Sequence, residues 1–408
     1  MNCRFCNDKL VYQFVDLGFS PPSNSFLKKE DLNKPEIFYP LRIMVCEKCF
    51  LVQIDEFAKH NDIFNSEYAY FSSFSKSWLK HAEKYTEMMI NRFGFNENSK
   101  VVEIASNDGY LLQFFLQKGV KVLGIEPTSN TASVAISKGI DTVIDFFGKR
   151  LADKLVSNNI KADLILGNNV LAHVPDINDF VAGLPILLKE NGVITFEFPH
   201  ILSLIKENQF DTIYHEHFSY LSLFSVQKIF EENGLEIFDV ENVNTHGGSL
   251  RIFAQKRHQH SHEIYKNVQD TLSLEKDFGL QDLDVYKSFQ INSENVKNDF
   301  MTFLLDAKSR NKKVIAYGAA AKGVTLLNFC GVRKDLINYI VDASPHKIGK
   351  FLPGIHIPVV NENIIKDDKP DYVIILPWNL KSEIQEQLFY IREWGGSFVT
   401  AVPKLDIF

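Results

Sequence analysis

Tyr214-His215-Glu216-His217 sets four ionisable side chains in succession. An imidazole can take a proton near neutral pH. A neighbouring carboxylate can orient that ring or hold a hydroxyl, and a phenol can donate to a developing oxyanion. Read as an extended or turning segment, the run sends Tyr214 and Glu216 to one face, and His215 and His217 to the other. His-x-His with Glu could also hold a metal, although the helical H-E-x-x-H spacing is missing, or form an incidental polar loop. A further imidazole, His173, lies in Asn168-Asn169-Val170-Leu171-Ala172-His173.

Two glycine-containing loops accompany this run. In Thr245-His246-Gly247-Gly248-Ser249-Leu250-Arg251 the paired glycines allow close approach of backbone to a ligand or to a neighbouring loop. His246 and Arg251 are candidate substrate contacts, and a strained structural turn is the alternative. In Tyr317-Gly318-Ala319-Ala320-Ala321-Lys322-Gly323 small residues open a helix. Its first N–H groups form a candidate anion site, to which Lys322 adds charge. Such a site suits a diphosphate. Plain tight packing of helix on sheet explains the small residues equally.

Four of the five cysteines form two knuckles, Cys3-x-x-Cys6 and Cys46-x-x-Cys49. Two such turns complete a tetrahedral zinc site. Four thiolates leave no open position for water or substrate, so the expected role is structural, in a unit too small to build much core. Cys330, in an apolar helix, reads as a buried hydrophobe. His258, His260 and His262 either bind a metal or belong to a solvated linker.

These groups need elements to position them. The apolar run Lys100–Ile104 reads as a buried strand, and Ala105-Ser106-Asn107-Asp108-Gly109 as the loop that opens the following helix. Ligands of open α/β sheets bind at such strand ends. The next strand, 121–125, ends at Glu126-Pro127, where a carboxylate can meet a ribose diol. Asp145-Phe146-Phe147 offers an acid beside aromatic faces for an adenine ring, and Asn168 ends the strand 162–167. An adenosine pocket of this kind fits a dinucleotide or S-adenosylmethionine. The G-x-G-x-x-G needed for a pyrophosphate is absent, and Glu103, within its strand, suits a cationic amino-acid moiety. S-adenosylmethionine is therefore the expected cofactor.

Strands and helices continue to alternate: helices 75–92, 110–118, 128–138 and 178–190, strands 193–198 and 250–255. This predicts an α/β fold with a parallel sheet. A smaller α/β unit follows, with strands 313–317, 338–342, 371–376 and 397–401 and helices 319–330 and 380–394. Three domains are expected: a zinc-binding domain (1–60), a Rossmann-like domain for S-adenosylmethionine (61–256) and a smaller Rossmann-like domain (257–408).

The 408 residues carry a net charge of −7, with 45% hydrophobic and 23% charged residues. The composition is globular, and the balance offers no basic footprint for nucleic acid. No apolar stretch is long enough to span a bilayer. The chain opens Met1-Asn2-Cys3-Arg4 without an apolar leader, so a cytoplasmic location without membrane association is expected.

Taken in order, Cys-x-x-Cys twice, Tyr68-x-Tyr70-x-Ser72-Ser73, Glu103-Ile-Ala-Ser-Asn-Asp-Gly109, Tyr214-His-Glu-His217, His246-Gly-Gly-Ser-Leu-Arg251 and Tyr317-Gly-Ala-Ala-Ala-Lys-Gly323 resemble the sugar C-methyltransferases that act on nucleotide-linked 4-ketosugars. The resemblance runs over nearly the whole chain. It implies methyl transfer from S-adenosylmethionine to C3 of the sugar, next to the C4 ketone, and a C-terminal domain that helps hold a nucleotide-diphosphate sugar. Carried over by motif, His217 is the general base, with Tyr214 as the alternative. Glu216, Tyr70 and His173 position the sugar or its enolate, and Tyr68, His246, Arg251, Gly318, Ala319, Ala320 and Lys322 bind substrate. The resemblance also implies a monomer. One departure is Ala105, where such loops carry glycine; alanine fits if its φ is negative. The competing expectations are an O- or N-methyltransferase and a zinc adaptor module.

Overall fold

The computed structural model describes residues 1–54 and 71–408. Its strands, in chain order, are β1 (Tyr12–Ser20), β2 (Tyr39–Val45), β3 (Val52–Ile54), β4 (Lys100–Ile104), β5 (Lys121–Ile125), β6 (Thr142–Val143), β7 (Ala162–Asn168), β8 (Leu188–Pro199), β9 (Ser219–Tyr220), β10 (Leu235–Val243), β11 (Ser249–Lys256), β12 (Val314–Tyr317), β13 (Ile340–Val341), β14 (Val359–Val360), β15 (Tyr372–Ile375), β16 (Ser397–Thr400) and β17 (Asp406–Ile407). They form three sheets, ordered β1-β2-β3-β9, β10-β11-β8-β7-β4-β5-β6 and β14-β13-β12-β15-β16-β17.

The central sheet is built as its sequence dictates. β4 is Lys-Val-Val-Glu-Ile, and Val101, Val102 and Ile104 are all buried, as a strand covered on both faces requires. It pairs in parallel with β5 on one side and β7 on the other. The chain winds from β4 to one edge through β5 and β6, then returns to the other side through β7 and β8. Strand order therefore reverses between β4 and β7, which opens a crevice at their C-terminal ends. The helix Lys76–Phe93 starts at Ser75, whose side chain accepts the N–H of Trp78, and stops at Gly94, which supplies the left-handed C-cap at φ 69°. Its buried residues Trp78, Ala82, Tyr85 and Met89 recur at helical spacing and face the sheet.

The expected all-parallel pattern fails after β8. The strand expected at 250–255 is β11, which lies antiparallel between β8 and β10. β10 is an additional strand. Its short connection to β11 permits only an antiparallel pair, since a parallel one needs a long crossover.

The first sheet carries a second departure. β3 pairs with β9, which lies in the methyltransferase unit. One apolar core joins Phe14, Val15 and Ile43 of the first sheet to Phe210, Phe218 and Tyr220 and to Phe300, Val324 and Leu327 of the C-terminal unit. The N-terminal unit thus packs against both of the others. Cys330 is buried in that shared core, as expected.

The C-terminal helix expected at 380–394 is shorter: Lys381–Gln387 is α-helical and Phe389–Trp394 continues as a 3₁₀ helix. His258 and His260 are exposed and lie beside Glu190 and Glu236, at 3.3 and 3.4 Å respectively. Among the described residues they join no metal-holding group, which leaves the solvated-linker reading for these two. His262 is half-buried, stacked on Phe238 at 4.6 Å and edge-on to Phe93 at 5.5 Å, so the solvated-linker reading does not extend to it. No helix of the described residues is long and apolar enough to cross a membrane.

Candidate functional site

Cys3, Cys6, Cys46 and Cys49 come together with their sulfurs within 4.8 Å of one another. Cys3–Cys49 and Cys6–Cys46 are each 3.5 Å apart, too far for a disulfide and right for a shared tetrahedral ion. Three of the four are buried, and Gln53 Nε2 donates to Cys3 Sγ at 3.2 Å. The donor set and its closure fit zinc in a structural role.

The crevice between β4 and β7 gathers the predicted cofactor residues. Glu103 is fully buried, with Tyr110 and the Leu112 N–H facing it, and has no ion-pair partner among the described residues. Burial, then the charges of Asp108 and Glu126, raise its carboxyl well above the usual range. Ser106 Oγ, Asp108 Oδ1, Asn168 Nδ2 and Asn169 Oδ1, all at the same sheet edge, are buried without hydrogen-bond partners among the described residues. Unsatisfied polar atoms concentrated at one strand edge fit a polar, cationic ligand such as S-adenosylmethionine.

Glu126 is held inward: it accepts the N–H groups of Asn107 and Thr128 at 2.9 Å each, and the Thr128 hydroxyl. Pro127 follows it at the strand end. Asp145 is paired with Arg150 at 2.7 Å, and Phe146 is exposed. Phe147 packs edge-on against Phe180. Ala105 departs from expectation, because its φ is +57°. The loop demands a left-handed residue there whatever the side chain, and alanine adopts it at a cost of about 1 kcal/mol. Asn107 (φ 50°) and Gly109 (φ 74°) complete the tight turn. Ser72 and Ser73 donate their N–H groups to Asn107 and Asp108 at 2.9 and 3.3 Å, which ties residues 72–73 to this loop. Tyr68 and Tyr70 lie outside the described residues.

The Tyr214–His217 run is not extended. His217 N–H donates to the Tyr214 carbonyl at 3.0 Å, which closes a turn. Residues three apart, not two apart, are therefore brought together. Tyr214 and His217 rings lie 4.1 Å apart, and His173 meets His217 edge-on at 4.7 Å. His215 points away and its Nε2 bonds the Pro40 carbonyl at 3.2 Å. Glu216 is buried and receives both its contacts from Asn24 Nδ2, at 2.7 and 2.9 Å. Burial raises its carboxyl to about 7.

His217 Nδ1 lies 3.0 Å from the Thr212 carbonyl. A carbonyl only accepts, so Nδ1 carries the proton and Nε2 keeps its lone pair. Burial, then the neighbouring His173, push the imidazole well below its usual value, so it is neutral near pH 7. Burial likewise lowers His173 to about 4 and His246 to about 4.

Gly247 (φ 92°) permits contact with the C-terminal unit: a Cβ there would sit 2.4 Å from Trp378 Cη2. The glycine pair thus meets a neighbouring loop. Lys322 Nζ lies 4.2 Å from the Trp378 ring centroid and donates to Asn379 Oδ1 at 2.7 Å. Its charge reaches His217 and His246, and burial lowers it to about 8. Arg251 is turned inward to Glu197 and Glu241, at 2.9 Å each. In the 318–322 loop the Ala319 N–H is already taken by Asp342 Oδ2 at 2.7 Å, which occupies one of the donors expected to be open to an anion. Gly318 (φ 87°) passes close to Pro377, and Ala320 caps the helix Ala321–Cys330.

Sequence reasoning misses Asn24, Trp78, His81, Glu197, Asp211 and Trp378. Glu197 accepts from His81, Arg251 and Thr245 at 2.7–2.9 Å. Trp78 stacks on His81 and Tyr110, at 4.9 and 5.8 Å, and meets His246 edge-on at 5.2 Å. Glu197, a charge within the apolar Ile-Thr-Phe-Glu-Phe of β8, is the one legible signal among these.

Three family models match the chain in succession: a zinc binding domain over residues 3–64, a methyltransferase domain over 78–240 and a C-methyltransferase C-terminal domain over 244–403. The C-methyltransferase NovU of Streptomyces niveus is 33% identical over 402 residues, 98% of this chain and 95% of that protein. The ubiquinone biosynthesis O-methyltransferase of Bartonella quintana is 31% identical over only 100 residues, 24% of this chain and 40% of that one. Among solved structures, magnesium protoporphyrin IX methyltransferase of Synechocystis with bound SAM is 15% identical, covering 43% of this chain and 78% of its own, with a TM-score of 0.33 that is too low to bear on function. The full-length match, the closed cysteine site and the crevice with its unpaired carboxylate agree: this chain belongs to the S-adenosylmethionine-dependent C-methyltransferases that join zinc-binding, methyltransferase and C-methyltransferase C-terminal domains.

Proposed function

We propose that the protein methylates C3 of a nucleotide-diphosphate 4-keto-deoxysugar through an enolate, with His217 as general base. The single observation that carries this reading is the neutral His217, its Nδ1 tied to the Thr212 carbonyl and its ring set beside Tyr214 and His173. A ketone acidifies the adjacent C–H. His217 Nε2 takes that proton, and the electron pair moves onto the ketone oxygen. The Tyr214 hydroxyl donates to that oxygen, and Lys322 lends positive charge to the same space. The enolate carbon is then the nucleophile. S-adenosylmethionine, when bound, supplies a methyl group on a sulfonium whose sulfur leaves with the bonding electrons.

Glu103 holds the donor's ammonium, with Ala105, Ser106, Asn107, Asp108 and Gly109 around it. Glu126, Pro127, Asp145, Phe146, Phe147 and Asn168 line its adenosine end. Glu216, His173 and Tyr70 position the sugar. Tyr68, His246 and the 318–322 loop contact substrate, and Arg251 fixes Glu197 beside them. Holding carbanion and donor in line contributes about 7–11 kcal/mol in favourable cases. The four cysteines hold a zinc ion outside the chemistry. The protein acts as a monomer in the cytoplasm.

The test incubates the protein with S-adenosylmethionine and thymidine-, uridine-, cytidine- and guanosine-diphosphate 4-keto-6-deoxyhexoses, and locates any new methyl group by NMR. Methylation at carbon beside the ketone is expected. Methylation of the matching sugars that lack the ketone would overturn the enolate reading in favour of O- or N-methyl transfer.

A further inference from the structure

We infer that Trp378 and Thr325, both in the C-terminal unit, are positioning residues that set the tautomer of His217. This inference rests on the reading of His217 as base. The Thr212 carbonyl is the group that fixes the proton on Nδ1. Thr212 lies in the short turn Phe210–Thr212, between two residues held from far along the chain. On one side, Trp378 Nε1–H donates to Asp211 Oδ2 at 2.7 Å. On the other, the Thr325 hydroxyl donates to the Ile213 carbonyl at 2.8 Å. The two grips bracket the acceptor of His217.

Each grip is built into the fold. Asp211 is completely buried, its other carboxylate oxygen has no hydrogen-bond partner among the described residues, and the indole is a side-chain donor to it. The indole is seated over Gly247, where no larger residue fits, with Lys322 above its ring. Thr325 is buried on the helix Ala321–Cys330, one turn beyond Lys322. A free histidine side chain favours the proton on Nε2, the opposite of what the base needs. The bracket around Thr212 therefore has a chemical role, which is to keep Nε2 unprotonated toward the substrate. The unit that closes the site also sets the protonation pattern of the base.

The experiment uses the full chain with Trp378→Phe, which keeps a ring over Gly247 but lacks the N–H, and Thr325→Val, which keeps the shape but lacks the hydroxyl. ¹⁵N NMR of His217 in the ligand-free protein reads the tautomer directly. Solvent deuterium exchange beside the ketone, on the 4-ketosugar that turns over, reads base function. The wild type should show the Nδ1–H pattern. Each variant should shift toward Nε2–H and lose exchange and kcat by roughly tenfold or more, part of the 10²–10⁴ that a positioned base supplies. The KM for S-adenosylmethionine should not change. Thr325→Ser should restore the wild-type pattern.

A purely structural role would lower the melting temperature yet leave the tautomer and exchange of the folded protein at wild-type values, and that result overturns the inference. His217→Asn, run alongside, separates the two claims. Exchange lost there but full in the Trp378 and Thr325 variants overturns only the positioning role; exchange retained there overturns the base assignment.

Discussion

Glu103→Gln tests the donor crevice most directly. The wild-type carboxylate is fully buried with no ion-pair partner among the described residues, and its proton is held well above the usual carboxylate range by burial and by Asp108 and Glu126. An ammonium arriving beside it turns a penalty into an ion pair. A hydrogen bond to a charged group contributes about 1.5–3 kcal/mol, so the amide should weaken S-adenosylmethionine binding by roughly tenfold to 150-fold. Charge linkage supplies an independent readout. Because the folded pKa is raised, protonated Glu103 stabilises the ligand-free fold below the unfolded value of about 4.3, and that contribution is lost as pH rises through the folded pKa. Pairing with the ammonium expels the proton. Calorimetry in buffers of different ionisation enthalpy should thus show proton release on binding in the wild type, affinity that increases with pH, and no release in Glu103→Gln. The ligand-free variant should also be the more stable protein at pH 8. Equal affinity and equal proton release in the two proteins would refute the reasoning.

Other expectations follow from the same geometry. His217→Asn should keep S-adenosylmethionine affinity while abolishing methyl transfer and deuterium exchange; if exchange persists, Tyr214 is the base. Glu216, with its carboxyl raised to about 7, should give kcat/KM a rising limb around pH 7 if its ionised form holds the sugar, and Glu216→Gln should remove that limb. Ala105→Gly should relieve the left-handed strain and raise stability by about 1 kcal/mol in denaturant titration, with affinity for the donor intact or improved. Cys46→Ser should abolish zinc retention, measured by metal analysis, and lower the melting temperature, because the ion ties together two knuckles that are 40 residues apart in the chain.

What is legible in the sequence is what is local. The runs at β4, β5 and β7 are apolar over most of their length, as strands covered on both faces must be. Four cysteines at knuckle spacing allow few chemistries. The Tyr214–His217 segment defeats a reading by alternation because a hydrogen bond from residue 217 back to 214 closes a turn, and composition does not distinguish the two. Trp378, Asp211 and Asn24 are invisible in the sequence for a different reason. Each is an ordinary residue in its own neighbourhood and acquires meaning only against a partner far away in the chain. Ala105 shows a rule giving way: the loop needs φ > 0, and the residue there meets that need at an energetic cost.

The pairing of β3 with β9 bears on how the molecule comes into being. During synthesis, the opening sheet waits with a bare flank until residues 219–220 leave the ribosome, long after β3 itself. An unpaired strand flank is a template for adhesion to other chains. Metal capture by the cysteines can fasten the nascent hairpin early, but that rim is sealed only when the middle of the protein arrives. A fragment cut just after β3 would keep all four cysteines and still present that unpaired flank.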